Sequence, residues 1–441
     1  MTAFVGATLV DGTGGAPRAD AVILVEGERI AAVGNRDEIP IPPEARVIDA
    51  SGKWIVPGLI DAHIHFFQSG GLYTRPDVID LRDVRPYADE IAGIRQRIPD
   101  TLARYVASGV TSVVDVGGPF WTFEVRDLAE RTKPAPRVAV AGPLVATYLP
   151  PELKTDDPPL IKVDSPEESR ATVREVLARK PDVIKIWFIP LPGQGLASQT
   201  AVVRAAIETS HAAGTRVVVH ATELEVARAA VQAGADVLAH SVEDRRVDEA
   251  FIKLLKDRNV VYVTTLVVSE GYQEVLGRKV RLTDIERRLG DPEAIETFDD
   301  LARLPIWKKP WAFQWFSRDI AFWNLKRLQE SGVTIAAGTD AGNIGTLHGP
   351  ALHREFELMA EAGLSPREIL TAATQGGARV MGRSAELGTV EKGKLADFLL
   401  LDADPLADIT HLRRIFRAVK GGAIFDPQAL GERRPSTQTR P

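Results

Sequence analysis

The chain has 441 residues, of which 44% are hydrophobic and 26% are charged, a composition typical of a globular protein with a large core. The formal net charge of −6 argues against a nucleic-acid-binding protein, and the absence of an apolar run of ~18 residues argues against a membrane-spanning one. Because the chain contains no cysteine, disulfides, cysteine nucleophiles and thiolate metal sites are all excluded.

The two ends of the chain share a pattern of short strands and turns. Residues 1–56 contain ATLVDGTG, AVILVEGERIAAVG and ARVIDASGKWIVPG, in which β-forming runs are broken by Gly, Asn or Asp. Residues 386–430 repeat the pattern in GTVEKGKLADFLLLDADP and FRAVKGGAIFD. We therefore predict one small sheet domain built from both termini, followed by a flexible tail over 431–441. The N-terminal sequence shows no signal peptide, so we expect a cytoplasmic protein.

Between these ends, residues 57–385 alternate apolar runs with segments of helical periodicity. The runs lie at 58–66, 110–116, 137–145, 182–188, 216–221, 236–242, 260–268 and 333–342. Nearly continuous Val, Ile and Leu content is typical of parallel strands that are covered on both faces. Eight such strand–helix units predict an α/β fold with a (β/α)8 barrel of the TIM type. An open, doubly wound sheet would give the same alternation and is the alternative.

One segment, residues 269–322, is too long for an ordinary connection. It is first rich in charges and then contains Trp307, Trp311 and Trp315, whose spacing of four places them on one helical face. This pattern predicts an insertion that either packs against the barrel or forms a lid over its mouth.

Histidines close the first apolar run. His63 and His65 are two residues apart on a strand, so they project to the same face, and two imidazoles there are suited to bind zinc or a similar ion. Asp61 has the same parity and is a candidate to support them by hydrogen bonding.

Lys185 lies inside the apolar strand DVIKIWF, where a charged ammonium is costly. Burial lowers the pKa of such an amine, and a neutral amine can react with carbon dioxide to give N6-carboxylysine, an anion that can bridge two cations. Pairing with a carboxylate, or an outward-pointing side chain, is the alternative.

Three further polar residues end strands later in the chain. His220 and His240 close consecutive strands and are suited to hold a second metal ion. Asp340, in GTDAG, can contact one ion and exchange a proton with metal-bound water. A role in capping a helix or turn is the alternative for Asp340. The glycines on either side of it, Gly338 and Gly342, allow a tight exit from the strand.

Several of these motifs together resemble the amidohydrolase superfamily, and within it the imidazolonepropionase-related and prolidase-like hydrolases. They are VPGLIDAHIH, VIKIW, HATELEVARAAVQAGADVLAHSVED, GTDAG, LHGPALHREFELMAEAGLSPREILTAAT and LGTVEKGKLADFLLLD. The resemblance covers nearly the whole chain. It implies that the sheet domain at the termini is a small β-sandwich and that the enzyme acts on small molecules as a homo-oligomer.

The resemblance also implies a role for each ligand. His63 and His65 would bind the more buried of two divalent ions, with zinc as the first choice. Lys185, as N6-carboxylysine, would bridge both ions, and His220 and His240 would bind the more exposed one.

Asp340 would bind the buried ion and carry protons during catalysis. The resemblance thus implies an amidohydrolase that cleaves an amide-like C–N bond with a bridging hydroxide. One departure is Thr222, which stands where prolidase-like relatives often have a tyrosine and which argues against simple dipeptidase activity.

Other functions fit the same residues. A mononuclear cyclic-amide hydrolase or deaminase, a lactone or carbamate hydrolase, and a non-catalytic scaffold are the alternatives. For substrate contacts we predict Arg75, which could pair with a substrate carboxylate, together with Tyr148, Trp187 and His348.

Overall fold

The computed structural model describes residues 1–190, 193, 195–304 and 317–431. Trp307, Trp311 and Trp315 lie outside the described residues, and so does the tail beyond residue 431. The predicted tryptophan-bearing insertion and the predicted flexible tail therefore stay predictions.

Strands of the described ranges form three sheets. In chain order they are β1 (Thr2–Leu9), β2 (Arg18–Glu26), β3 (Arg29–Asn35), β4 (Arg46–Asp49), β5 (Trp54–Pro57), β6 (Leu59–Ile64), β7 (Val110–Asp115), β8 (Arg137–Val140), β9 (Leu144–Ala146), β10 (Leu160–Lys162), β11 (Val183–Trp187), β12 (Arg216–His220), β13 (Val237–Ala239), β14 (Val261–Val263), β15 (Thr334–Ala336), β16 (Phe398–Leu401), β17 (Ile415–Lys420) and β18 (Ala423–Phe425).

Helices connect most of the parallel strands. They are α1 (Tyr87–Ala107), α2 (Thr122–Arg131), α3 (Pro166–Leu177), α4 (Leu196–Ala212), α5 (Leu224–Ala233), α6 (Glu249–Asp257), α7 (Leu266–Leu276), α8 (Asp284–Leu289), α9 (Pro292–Glu296), α10 (Asp300–Arg303), α11 (Arg318–Glu330), α12 (Ala351–Glu361), α13 (Pro366–Thr371), α14 (Gly377–Val380) and α15 (Pro427–Gly431). None of the described helices is both long and apolar enough to cross a bilayer.

One sheet joins the two ends of the chain, as the sequence predicts. Its order is β18-β17-β16-β5-β1-β2-β3, with β4 paired to β1. The ends meet where β5 runs antiparallel to β16, with Pro57 opposite Phe398. Phe4 and Phe398 then pack edge to face in the sheet's apolar core, with their ring centroids 4.9 Å apart. The predicted division of the chain into domains stays a prediction.

The middle of the chain forms two parallel sheets, with the orders β6-β7-β8 and β10-β9-β11-β12-β13-β14-β15. Backbone bonds link them: Ala62 N donates to Ala337 O at 3.0 Å, and Asp182 N donates to Val140 O at 2.9 Å. Each of the eight predicted runs contains a strand, so the predicted mixed α/β class is confirmed.

Two predicted runs differ in detail from the strands that form. The third run is divided into β8 and β9 around Gly142, whose φ of +74° is a left-handed conformation that breaks the strand. The seventh run, predicted over 260–268, ends as a strand at Val263, and α7 begins at Leu266. The periodicity of a short apolar run does not separate a strand from a buried helix, and this is why the boundary was wrong.

The inner faces of the parallel strands build an apolar floor. Val183, Val218 and Val237 belong to one buried cluster there. Because side chains alternate along a strand, Lys185 and His220, each two residues further on, lie on the same face as Val183 and Val218. The chemistry-bearing side chains therefore rise from an apolar floor at the carboxyl ends of the strands.

Candidate metal centre

His63, His65 and Asp340 converge although they come from opposite ends of the parallel-strand region. Asp340 Oδ1 lies 3.3 Å from His63 Nε2 and 3.1 Å from His65 Nε2. His63 and Asp340 nevertheless lack well-aligned hydrogen bonds: both ring nitrogens of His63 and the Oδ1 atom of Asp340 have no partner among the described residues. Donor atoms that face one another in this way are suited to share a cation.

His220 and His240 complete the group. The ring of His240 lies with its centroid 4.6 Å from that of His63 and 4.3 Å from that of His220. One ligand atom each from His63, His240 and Asp340 fall within 4.8 Å of one another, as a metal site requires. Burial lowers the pKa values of His220 and His240 well below the usual range, so both imidazoles are neutral and available as ligands.

Lys185 is fully buried beside these residues, and its Nζ has no hydrogen-bond partner within the described ranges. Burial lowers the pKa of its amine to about 7, and the negative charge of Asp340 only partly opposes that shift. A large fraction of the amine is therefore neutral at neutral pH, as the predicted reaction with carbon dioxide needs.

The ionisation of the neighbouring groups is consistent with cation binding. Burial lowers the pKa of His63 to about 3. Burial opposes ionisation of Asp340, but His63 and His65 outweigh it and hold the pKa of that carboxyl well below its usual range. The group thus presents a carboxylate together with the neutral imidazoles of His63, His220 and His240, which are donors that zinc and similar divalent ions accept.

Hydrogen bonds to neighbouring residues orient the imidazoles of His65 and His240. His65 Nδ1 lies 2.7 Å from Gly117 O, and Gly117 N donates to Asp115 Oδ1 at 3.2 Å. His240 Nδ1 lies 2.9 Å from Thr265 Oγ1. With Nδ1 of His65 held, its Nε2 lies 3.1 Å from Asp340 Oδ1, at the centre of the cluster.

Asp61 forms hydrogen bonds with backbone and hydroxyl groups next to the predicted ligands. Its Oδ2 accepts a 2.7 Å bond from Thr339 Oγ1, and its Oδ1 accepts bonds of 3.1 Å from Thr339 N and 3.3 Å from His63 N. Asp61 therefore ties the strand that carries His63 to the loop that carries Asp340.

Two of the predicted ligands have left-handed backbone conformations, with φ of +74° at His240 and +60° at Asp340. His240 follows Ala239, whose side chain belongs to the apolar floor, so strict alternation would direct the histidine to the opposite face. Its left-handed φ lets the imidazole join the cluster instead. Near Asp340, a Cβ on Gly338 would lie 2.8 Å from His63 Cβ, so only glycine allows this approach.

A cavity of about 320 Å³ opens onto the cluster. Among the predicted site residues, those that line it are His65, Lys185, His220, His240, Asp340, Arg75 and Trp187. His63 is fully buried directly behind them. The structure thus brings all six predicted metal ligands together at one cavity.

Tyr148 and His348 stand apart from the other predicted substrate residues. Tyr148 packs near Trp187, with ring centroids 6.0 Å apart, outside the described lining of the cavity. His348 is buried, with Nδ1 2.7 Å from Tyr105 Oη and Nε2 2.8 Å from Gln68 O. Substrate contact by these two residues stays a prediction.

Arg75 reaches the cavity with its guanidinium already bonded inside the protein. It donates to both carboxylate oxygens of Asp77, at 2.8 and 2.6 Å, to Tyr272 Oη at 2.9 Å, and to Asn343 Oδ1. Asn343 Nδ2 in turn donates to Asp340 O at 3.0 Å. Arg75 therefore connects the first loop of the site to the loop that carries Asp340.

Sequence reasoning missed several supporting residues: Asp115, Thr265, Tyr272, Asn343 and, in the cavity wall, Glu243. Asp115 alone had a usable signal, because it lies at the end of a predicted strand, as several of the predicted metal ligands do.

Comparison with known proteins gives the following matches. The model of the Amidohydrolase family matches residues 54–423. An imidazolonepropionase of Geobacillus kaustophilus (strain HTA426) is 23% identical over 437 residues, which cover 91% of this chain and 89% of the relative. A dihydroorotase of Anaeromyxobacter dehalogenans (strain 2CP-C) is 24% identical over 435 residues, which cover 90% of this chain and 87% of the relative.

A solved structure has a similar fold. The crystal structure of a Xaa-Pro dipeptidase with methionine bound in its active site matches with a TM-score of 0.73 and 24% identity, covering 96% of this chain and 99% of that chain. At this identity the likeness shows a shared fold and leaves the substrate open.

Proposed function

The chain belongs to the amidohydrolase family, and we propose that it is a metal-dependent hydrolase that cleaves a carbon–nitrogen bond of a small molecule with two divalent ions. The observation that carries this proposal is the set of buried donor atoms on His63, Lys185 and Asp340 that have no hydrogen-bond partner among the described residues. A buried polar atom without a partner costs about 1–3 kcal/mol, so a ligand that satisfies several of them has a large advantage.

Each donor has a proposed place in the binuclear site. His63, His65 and Asp340 would hold the more buried ion, and His220 and His240 the more exposed one. Lys185 would bridge the ions as N6-carboxylysine: its neutral amine forms an N–C bond to carbon dioxide, and the displaced proton goes to solvent. Zinc is the first choice, because imidazole and carboxylate donors suit it.

Bound divalent ions would lower the pKa of water to near 7 and polarise the scissile carbonyl, which together supply a nucleophile and an electrophile. Asp340 would accept the proton of the attacking water, a role supported by its ionised carboxyl facing His63 and His65. It would then give that proton to the leaving nitrogen, because an amine leaves poorly without one. Asp61 and Arg75 keep the Asp340 loop in position through Thr339 and Asn343.

We also infer that the two parallel sheets close into an eight-stranded barrel and that the terminal sheet folds into a β-sandwich. Closure of the barrel is supported by the bond from Ala62 to Ala337 on one side and that from Asp182 to Val140 on the other. The carboxyl end of such a barrel is where enzymes of this fold carry their active sites.

The test combines metal analysis with a turnover screen. Protein loaded with zinc or manganese is analysed for ions per chain and assayed against N-acyl amines, anilides, cyclic amides and dipeptides. We expect two ions per chain, loss of turnover on chelation, and a carbamate ¹³C signal after exchange with labelled bicarbonate. One ion per chain with a bare lysine would favour the mononuclear alternative, and a fully loaded protein inert to the whole panel would overturn the proposal.

A further inference from the structure

The cavity beside the metal centre has two chemically different walls. One wall is apolar and consists of Leu144, Leu153, Leu160 and Trp187, from β9 to β11. The other is polar and consists of Thr222, Glu243 and Ser269, from the segments that follow β12, β13 and β14. A substrate in this cavity would therefore meet an apolar surface next to β9–β11 and a carboxyl group further along the same row of strands.

Glu243 differs from the other charged residues of the described cavity lining. Arg75 and Asp77 neutralise each other through two hydrogen bonds. Lys185 and Asp340 belong to the metal centre. Glu243 is thus the remaining ionisable acid of the wall, and no cation of the described lining is left to neutralise it.

The side chain of Glu243 makes no hydrogen bond or ion pair within the described residues, although its backbone N donates to Thr222 O at 2.9 Å. The arginines that follow it in sequence are directed elsewhere. Arg245 Nε lies 2.8 Å from Asp244 Oδ2, and the Arg246 guanidinium lies 4.8 Å from the centre of the Trp323 ring. A carboxyl group that faces a cavity without a protein partner is a candidate to bind a ligand.

The surroundings of Glu243 also disfavour an unpaired negative charge. Burial, with a smaller contribution from the nearby Glu223 carboxylate, raises the pKa of Glu243 to about 8. A cationic ligand would offset both effects, because it supplies the opposite charge that the protein lacks at this position.

We propose that Glu243 recognises a cationic group, an ammonium or guanidinium, on a substrate whose other side is apolar and lies against Trp187 and the leucines. This inference rests on the proposed hydrolase function and names its substrate class. It also implies discrimination against substrates that carry a carboxylate at this position, since Arg75 is engaged by Asp77.

The test uses amides that differ only in the terminal group of the amine. Phenylacetyl amides of 1,6-diaminohexane, hexylamine and 6-aminohexanoate are compared as substrates of the metal-loaded enzyme. We expect kcat/KM to be at least about tenfold higher for the ammonium-bearing amide than for the hexylamide, and lowest for the carboxylate.

Variants assign that preference to one side chain. Glu243→Gln keeps the size and hydrogen-bonding capacity of the side chain but removes the charge, so the ratio between the first two amides should fall to near one. Glu243→Lys should reverse the order of the ammonium and the carboxylate. The matched control is Glu225→Gln, an exposed glutamate on α5, which should leave every ratio unchanged.

A binding measurement separates the two proposals. Calorimetric titration of the metal-loaded protein with 4-phenylbutylammonium and the neutral 4-phenylbutanol needs no turnover. If no amide is cleaved but the ammonium binds at least about tenfold more tightly and loses that advantage in Glu243→Gln, the substrate inference stands and the hydrolase proposal fails. Equal binding of the two probes, equal rates for the three amides, or a changed number of ions in Glu243→Gln would overturn the role of Glu243.

Discussion

Two polar clusters, one half-buried and one buried, lie side by side at the carboxyl ends of the parallel strands, and they differ in whether their atoms have partners among the described residues. In the arginine cluster, formed by Arg75, Asp77, Tyr272 and Asn343, the charges and amide groups bond to one another. The ligand cluster consists of the six predicted metal ligands. In it, both ring nitrogens of His63 and the Nζ of Lys185 form no hydrogen bond with any described residue.

This difference distinguishes polar groups that stabilise the fold from polar groups that are left to bind a ligand. The ligand cluster is removed from water and the arginine cluster is partly removed from it, so both incur a desolvation cost. Hydrogen bonds within the arginine cluster offset that cost, and the bond from Asn343 to Asp340 O holds the Asp340 loop in place. The ligand cluster recovers it only when something from outside the chain binds, and we therefore expect cations there.

The largest expected effect comes from removing the amine of Lys185, the proposed bridge between the ions. Lys185→Met should lose at least one ion per chain and reduce turnover by at least about 10³-fold, since metal ions supply several kcal/mol of transition-state stabilisation. The same change should raise the free energy of unfolding of the metal-free protein by about 1–3 kcal/mol, because it removes a buried, unpartnered amine. Metal analysis and urea unfolding measure the two results. The control is the exposed Lys253→Met, and a Lys185→Met protein that keeps two ions and normal turnover would contradict the contrast between the clusters.

The second largest effect is expected for Asp340→Asn. It keeps the shape of the side chain but cannot accept a proton, so kcat should fall by about 10²–10⁴-fold while much of the metal is retained. Steady-state kinetics with ion counts on the same sample measure this. A near-normal kcat would show that another group moves the proton.

Breaking the arginine cluster should affect stability more than chemistry. Arg75→Met leaves the Asp77 carboxylate buried and unpaired, which costs about 3–5 kcal/mol in the free energy of unfolding. The double variant Arg75→Met/Asp77→Leu should regain much of that loss, as urea unfolding would show. If Arg75→Met instead keeps its stability and raises KM only for carboxylate-bearing amides, Arg75 binds substrate, as the sequence suggested.

The smallest expected effect concerns a histidine whose two nitrogens both have partners, in contrast to His63. Burial lowers the pKa of His348 from 6.5 to about 4. Its contribution to stability is therefore complete above pH 6.5 and is lost as the pH falls toward 4, by up to about 3 kcal/mol. The difference in unfolding free energy between wild type and His348→Gln should narrow over that range. A difference that does not change with pH would mean that His348 does not titrate there.

Much of the fold was predictable, because its signals are local. Continuous apolar runs, helical periodicity and glycines at turns follow from neighbouring residues, and they predicted the eight strand positions and the sheet shared by the termini. The candidate ligands could also be named from the sequence, since His220 at the end of a strand and Lys185 inside one stand out in apolar surroundings.

Contacts between distant segments were not predictable in the same way. Arg75 looks like a free cation in the sequence, yet its partners Tyr272 and Asn343 lie 197 and 268 residues away. Glu243 looks like an ordinary loop acid, and only the cavity shows that it faces a ligand space without a partner.

The sequence by itself determined which residues have donor groups suited to a metal and which strands carry them, because donor chemistry and strand periodicity are properties of the residues and their neighbours. Only the tertiary structure decided that the left-handed turn at His240 brings its imidazole to the cluster. It also decided which buried charges are neutralised inside the protein, because that depends on distances between segments that folding brings together.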